Sequence, residues 1–138
     1  MKMKKIEDAI VDVLIGVLNT KHSEDYTYEA FINETIEIYA FSKVNKNEKY
    51  SIIRIGIQKE SAQILIPNIF MPPLLKHKRI GIKLIRILYE LGQIYNYDVF
   101  VIQLTDSFKE SLLRRGALIT NEFDILQIVE TTNLLEDE

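Results

Sequence analysis

The chain has no cysteine and no tryptophan, and only two histidines and five glycines in 138 residues. Without cysteine there is no disulfide, no thiolate metal site and no cysteine nucleophile, which suits a reducing, cytoplasmic setting. His22 and His77 lie far apart with no carboxylates at ligand spacing, so no metal centre is expected. Neither a P-loop nor a dinucleotide fingerprint is present, and no Gly-x-Ser-x-Gly turn presents a nucleophile. No apolar run approaches the roughly 18 residues of a membrane helix. The basic start, Met1 to Lys5, is followed by Glu7, Asp8 and Asp12, which argues against a signal peptide. A net charge of −3 leaves no basic surplus for general nucleic-acid binding.

What is there is ordinary for a globular protein: 47% apolar and 27% charged residues. A chain of this length buries a real core, so a single domain over 1–138 is expected. Abundant Ile, Lys and Asn suggest an AT-rich bacterial or phage source. Ile6, Ala9, Ile10, Val13, Leu14, Val17 and Leu18 form a helical stripe, with acids in the first turns where the dipole favours them. Asn19 to Asp25 reads as a loop. Tyr26 to Asn33 reads as a short second helix packing Phe31. Thr35 to Val44 alternates, Ile36, Ile38 and Ala40 against Glu37, Tyr39 and Phe41, as a half-buried strand does. After a turn at Asn45 to Lys49 come strands at Tyr50 to Gln58 and Ser61 to Phe70.

The stretch from Gln63 to Leu91 organises the rest. An apolar strand is stopped by Pro72 and Pro73, which offer no N–H to a ladder. The basic loop Lys76-His77-Lys78-Arg79 follows, then Ile80, Leu84, Ile87, Leu88, Leu91 and Ile94 at helical spacing, ending near Tyr95 with Asn96 as the stop. Unpaired N–H groups and the dipole at the start of such a helix favour an anion, commonly phosphate. Val99 to Leu104 reads as a central parallel strand. Asp106 or Ser107 caps the next helix, which closes at Gly116, and Ala117 to Thr120 and Ile125 to Val129 read as two strands around Asn121-Glu122. Leu134 to Glu138 is an acidic tail, expected to be loose.

Met71-Pro72-Pro73, then Lys76, Arg79 and Gly81 ahead of an apolar helix, resemble the Val-x-Pro and Arg/Gln-x-x-Gly-x-Gly/Ala signature of acyl-CoA N-acyltransferases of the GNAT superfamily. Here Lys replaces Arg/Gln and Arg79 replaces the first glycine. The element order from about Thr35 to Val129 is also similar, although no first strand precedes Ile6. Ser107 to Ala117 resembles the stretch that carries a Tyr four residues before Gly-Phe in that family, with Leu112 at the Tyr position and Ala117 for Phe.

The resemblance implies an α/β fold of the GNAT kind, with a mixed sheet splayed near Ile69 to Met71 and helices on both faces. It implies acetyl-CoA as cosubstrate and transfer of an acetyl group to an amine, peptide or protein acceptor, with a homodimer as a further option. Pantetheine would lie along Ile69, Phe70 and Met71, and the phosphates at Lys76, His77, Lys78, Arg79, Ile80 and Gly81. Glu37 would be the base, ahead of Glu34 and Glu60, and each of the three also reads as a surface residue. Leu112 removes the family's general acid. The competing expectation is therefore a GNAT-like binding or regulatory module without catalysis, of phage origin in one version.

Overall fold

The computed structural model describes residues 4–120 and 125–135. The expected turn at Asn121-Glu122 and the last three residues of the acidic tail lie outside them. The architecture is mixed α/β: a seven-stranded sheet with three α-helices. The elements run α1 (Ile6–Lys21), β1 (Tyr26–Ile32), β2 (Ile36–Ser42), β3 (Lys49–Gln58) and β4 (Gln63–Ile69). After a 3-10 turn at Pro73–Leu75 come α2 (Ile80–Tyr95), β5 (Asp98–Val101), α3 (Asp106–Arg114), β6 (Leu118–Ile119) and β7 (Leu126–Ile128). Strand order across the sheet is β1-β2-β3-β4-β5-β7-β6, and among the described residues only the β4–β5 pair is parallel. Among the described residues no helix is long and apolar enough to cross a membrane.

The second helix expected at Tyr26 to Asn33 is a strand instead. Tyr26 and Tyr28 point inward and Thr27 and Glu29 outward, a period of two that suits β-preferring Tyr, Thr and Phe. Pairing with β2 from Tyr26↔Ser42 to Ile32↔Ile36 then holds the segment in the sheet. α1 also runs further than expected, through Lys21, into the segment from Asn19 that was expected to be a loop. From β2 onward the observed order is the expected one.

The core lies between one sheet face and α1 with α2. Ile36, Ile38 and Ala40 of β2 and Ile64 and Ile66 of β4 are buried beside Ile10, Leu14 and Leu18 of α1. α2 is buried on more than one stripe: Ile82 and Ile85 are inside together with Ile80, Leu84, Leu88 and Leu91. The reason is position, since α2 packs against both the sheet and α1. Ile94, at the end of the expected stripe, is exposed. A Cβ added at Gly92 would come within 2.7 Å of the Tyr97 carbonyl oxygen, so glycine there lets the helix end sit against the start of β5. Asn96 is left-handed, and its N–H reaches Gln93 O at 3.4 Å while Tyr97 N–H reaches Gly92 O at 2.7 Å, a Schellman ending.

Leu88 is fully buried on α2. Leu88→Ala should cost about 2–5 kcal/mol in urea unfolding, from lost burial plus a cavity; a loss under about 0.5 kcal/mol would mean that the helix is not packed as described.

Candidate functional site

The parallel ladder between β4 and β5 runs only from Gln63↔Asp98 to Ile66↔Val101. Its last bond joins Ile102 N–H to Ile66 O at 3.0 Å. The sheet was expected to splay near Ile69 to Met71; the strands part three residues earlier. Pro67 supplies the reason. Between the pairs Gly56↔Leu65 and Arg54↔Asn68, β4 has two residues, Ile66 and Pro67, opposite the single Ile55 of β3. This is a bulge, a position where proline is tolerated because no regular ladder donor is required. Beyond the bulge β4 stays with β3: Phe70 N–H donates to Ile52 O at 2.9 Å. Antiparallel alternation then directs the N–H and C=O of Ile69 to the opposite edge, the one β5 has left.

A cleft of about 600 Å³ fills the gap, a size common for small-molecule sites. One wall is Ile66, Pro67, Asn68 and Ile69 of β4 with Met71 just beyond it, and the rim is Leu75, Lys76, His77, Arg79, Ile80 and Gly81. The other wall runs from Val101 through Gln103 and Thr105 to Ser107, Phe108 and Ser111 of α3. Of the residues expected to bind a cosubstrate, Ile69, Met71, Lys76, His77, Arg79, Ile80 and Gly81 line this cleft. Phe70 does not; its ring stacks on Tyr50 with centroids 5.9 Å apart. Lys78 is exposed and is not part of the lining.

The backbone of the rim is unusual. Five non-glycine described residues have positive φ, and three of them, His77, Arg79 and Gln103, line the cleft. Such conformations cost free energy and concentrate at functional sites. Arg79 immediately precedes α2 with φ 57° and ψ 29° and gives the helix no side-chain cap. The chain thus keeps a glycine-type conformation where it lacks glycine. The first turn of α2 carries no acid, which leaves its N–H groups and dipole uncompensated. Gly81 brings this turn close to the sheet, since an added Cβ would meet Ile69 Cγ2 at 3.3 Å.

In this wall, Ser107 to Ser111 fall in the stretch expected to resemble the family's general-acid helix, whereas Val101 to Thr105 were not foreseen as part of a site. Two signals were present. The loops that follow two adjacent parallel strands share one end of the sheet, and Ser107 and Ser111 are spaced four apart, on one helix face. The helix cap was also misassigned: Thr105, not Asp106 or Ser107, accepts from Phe108 N–H, at 3.4 Å. Leu112 is fully buried and absent from the cleft wall, whereas its neighbour Ser111 faces in.

Glu37 lies elsewhere, in a second hollow with Phe31, Glu34, Tyr39, Lys49 and Arg54 on the sheet face away from α2. Its Oε2 accepts from Ser51 Oγ at 2.7 Å and from Arg54 Nη2 at 3.1 Å. The Ser51 hydrogen bond, with Arg54 behind it, outweighs partial desolvation and holds the carboxyl below its ordinary value. Glu37, Arg54 and Asn68 are successive cross-strand partners, so one row leads from this hollow to the cleft. Glu60 sits in the β3–β4 turn and is exposed. Among the described residues no cluster of three or more metal-ligating side chains occurs.

No family model matches the chain, and no curated protein matches it. Among solved structures it is similar to a candidate acetyltransferase from Agrobacterium tumefaciens, at 10% identity over 92% of this chain and 90% of that one. The TM-score of 0.39 is too low for that likeness to carry an argument about the site.

Two substitutions test the local structure. Arg79→Gly should leave the protein about 1–2 kcal/mol more stable in urea than Arg79→Ala, because only glycine relieves the left-handed penalty; equal stabilities would mean that the conformation is not maintained in solution. Leu112→Tyr should cost about 1–3 kcal/mol through overpacking, and unchanged stability would place Leu112 outside the core.

Proposed function

We propose that the chain, as a single domain, binds an acyl-CoA in the cleft between β4 and β5 and transfers its acetyl group to an amine, as the GNAT resemblance implies. The observation that carries this reading is the parting of the two parallel strands beside a helix start rimmed by Lys76 and Arg79. In it, pantetheine lies along Ile69 to Met71 and bonds to the backbone of Ile69, whose polar groups face the vacated edge. The pyrophosphate meets the amides from His77 to Gly81, with the 3′-phosphate near Lys76 or Lys78.

The reaction is direct attack. The lone pair of a neutral amine adds to the thioester carbonyl carbon, the C–S bond breaks, and the thiolate leaves with the electron pair. The amine's proton leaves through a water relay toward a carboxylate, and the thiolate is later protonated from solvent. A thiol pKa near 8.5 makes that leaving group tolerable without a dedicated acid, which fits a cleft whose described lining contains no tyrosine. Glu37 is the proposed proton acceptor, reached over the Arg54–Asn68 row. Two strand spacings of about 4.8 Å separate it from Asn68, so a water relay is needed. Its lowered pKa makes it a standing anion rather than a base poised near neutrality. Transfer should therefore speed up from pH 7 to pH 9 as the acceptor amine deprotonates. Glu37 is ionised throughout that range and adds no limb of its own. A CoA-release assay that is flat or falling over this range would contradict the scheme.

A second reading, a binding module that takes the CoA moiety but does not turn over, is favoured by the burial of Leu112 and the distance of Glu37 from the cleft. Both readings require CoA. A ligand at 100 times its dissociation constant adds about 2.7 kcal/mol, so CoA should raise the melting temperature, dephospho-CoA less so. Lys76→Glu with Lys78→Glu should reduce the shift. No shift at millimolar CoA would remove both readings; a shift without CoA release from acetyl-CoA, over a panel of amines, peptides and polyamines, would leave the second.

A further inference from the structure

β1 is the outer strand of the sheet, and among the described residues nothing pairs with its free edge. Which groups face that edge follows from the hairpin. Lys43 N–H donates to Asp25 O at 2.9 Å, and Asn33 N–H to Thr35 O at 3.0 Å. Both pairs continue the β1–β2 register, so the odd-numbered residues of β1 bond to β2. The N–H and C=O groups of Tyr26, Tyr28, Ala30 and Ile32 therefore point outward.

Edges of this kind are normally blunted by charged side chains, lysine above all, by proline or by a bulge. β1 has no lysine, proline or bulge over its seven residues, and its pairing with β2 is regular. Instead it exposes two adjacent large apolar residues, Phe31 and Ile32, each 51% accessible. Its one charge is Glu29.

We infer that two copies of this chain pair antiparallel along β1, centred on Ala30, to form one continuous sheet. The register follows from the sequence of the edge. Two outward-facing rows can meet only with even residues opposite even residues. Centring on Glu29 would set Glu29 against its own copy, in a non-hydrogen-bonded pair where side chains are closest and like charges repel. Centring on Tyr28 leaves Phe31 and Ile32 uncovered. Centring on Phe31 keeps only Ala30 to Ile32 in the ladder. Centring on Ala30 sets Tyr28 against Ile32 of the second copy and Glu29 against Phe31, and places the smallest side chain of the strand on the two-fold axis. The second copy then adds its Glu29 to the hollow that holds Phe31 and Glu37. This inference is independent of acyl transfer.

The chain's lack of cysteine makes a direct test clean. In a hydrogen-bonded antiparallel pair the Cα atoms are about 5.5 Å apart, within disulfide range. Ala30→Cys should cross-link to a covalent dimer under mild oxidation. Thr27→Cys should not, because two Thr27 positions lie about six residues, or about 20 Å, apart along the pair. Light scattering of the wild type should show mass rising from one chain to two with concentration. Ala30→Pro removes a donor that β2 does not use and should weaken dimerisation at least about tenfold with an unchanged far-ultraviolet spectrum. Phe31→Lys should do the same and serves if the proline variant does not fold. A wild type that stays monomeric to about millimolar, a dimer unaffected by Phe31→Lys, or cross-linking at Thr27 but not Ala30 would each overturn the inference.

Discussion

The structure depends on a ladder that stops early. Among the described residues β4 and β5 form the one parallel pair, and it lasts four residues before Pro67 and the bulge carry β4 away with β3. Were the ladder to continue, the cleft would be filled by backbone hydrogen bonds. Because it ends, β4 keeps Ile69's polar groups facing an empty edge, and the loop after β5 has to leave the sheet plane through a left-handed Gln103. The loop before α2 is bent in the same way at His77 and Arg79. Three strained residues around one opening are most simply understood as a cost that the surrounding core offsets.

The core is arranged to hold that opening. α2 is buried both toward the sheet and toward α1, so its first turn is fixed in position by Ile80, Leu84 and Ile85 rather than by a cap. Its other end is locked by Gly92 and the left-handed Asn96 against Tyr97. The result is a helix packed at both ends whose start, without a side-chain cap or an acid in its first turn, faces the cleft. The second hollow is different in kind. There, Glu37 is already bonded to Ser51 and Arg54, and Phe31 and Tyr39 meet edge to face with centroids 5.5 Å apart. Its carboxylate already has partners within the hollow, whereas the helix start at the cleft has no side-chain cap.

Much of this was legible in the sequence, for reasons that can be named. Pro72 and Pro73, the basic loop and the long apolar stripe located β4, the turn and α2 to within a residue or two, because proline and helical period are strong local signals. β1 was misread because Glu29 and Ala30, both good helix formers, sit in the middle of a seven-residue strand whose alternation is short; the pairing with β2 decided the matter. The part of the cleft wall from Val101 to Thr105 was not foreseen because it depends on which strand ends lie side by side, a tertiary fact. The early parting of the sheet was present as Pro67, but a proline inside an apolar run does not by itself say where a partner strand leaves. Glu37 was found as a carboxylate on a strand, yet its partners come from β3, and spacing within β2 could not disclose that they would lower its pKa.

The most direct test of the account is a titration of isotopically labelled protein with CoA, followed by amide nuclear magnetic resonance. The cleft requires the amides of Ile69, His77 to Gly81 and Gln103 to shift together and saturate along one binding curve, while those of Phe31 and Glu37 stay in place. Shifts confined to the β1–β3 face, or none at millimolar CoA, would contradict it.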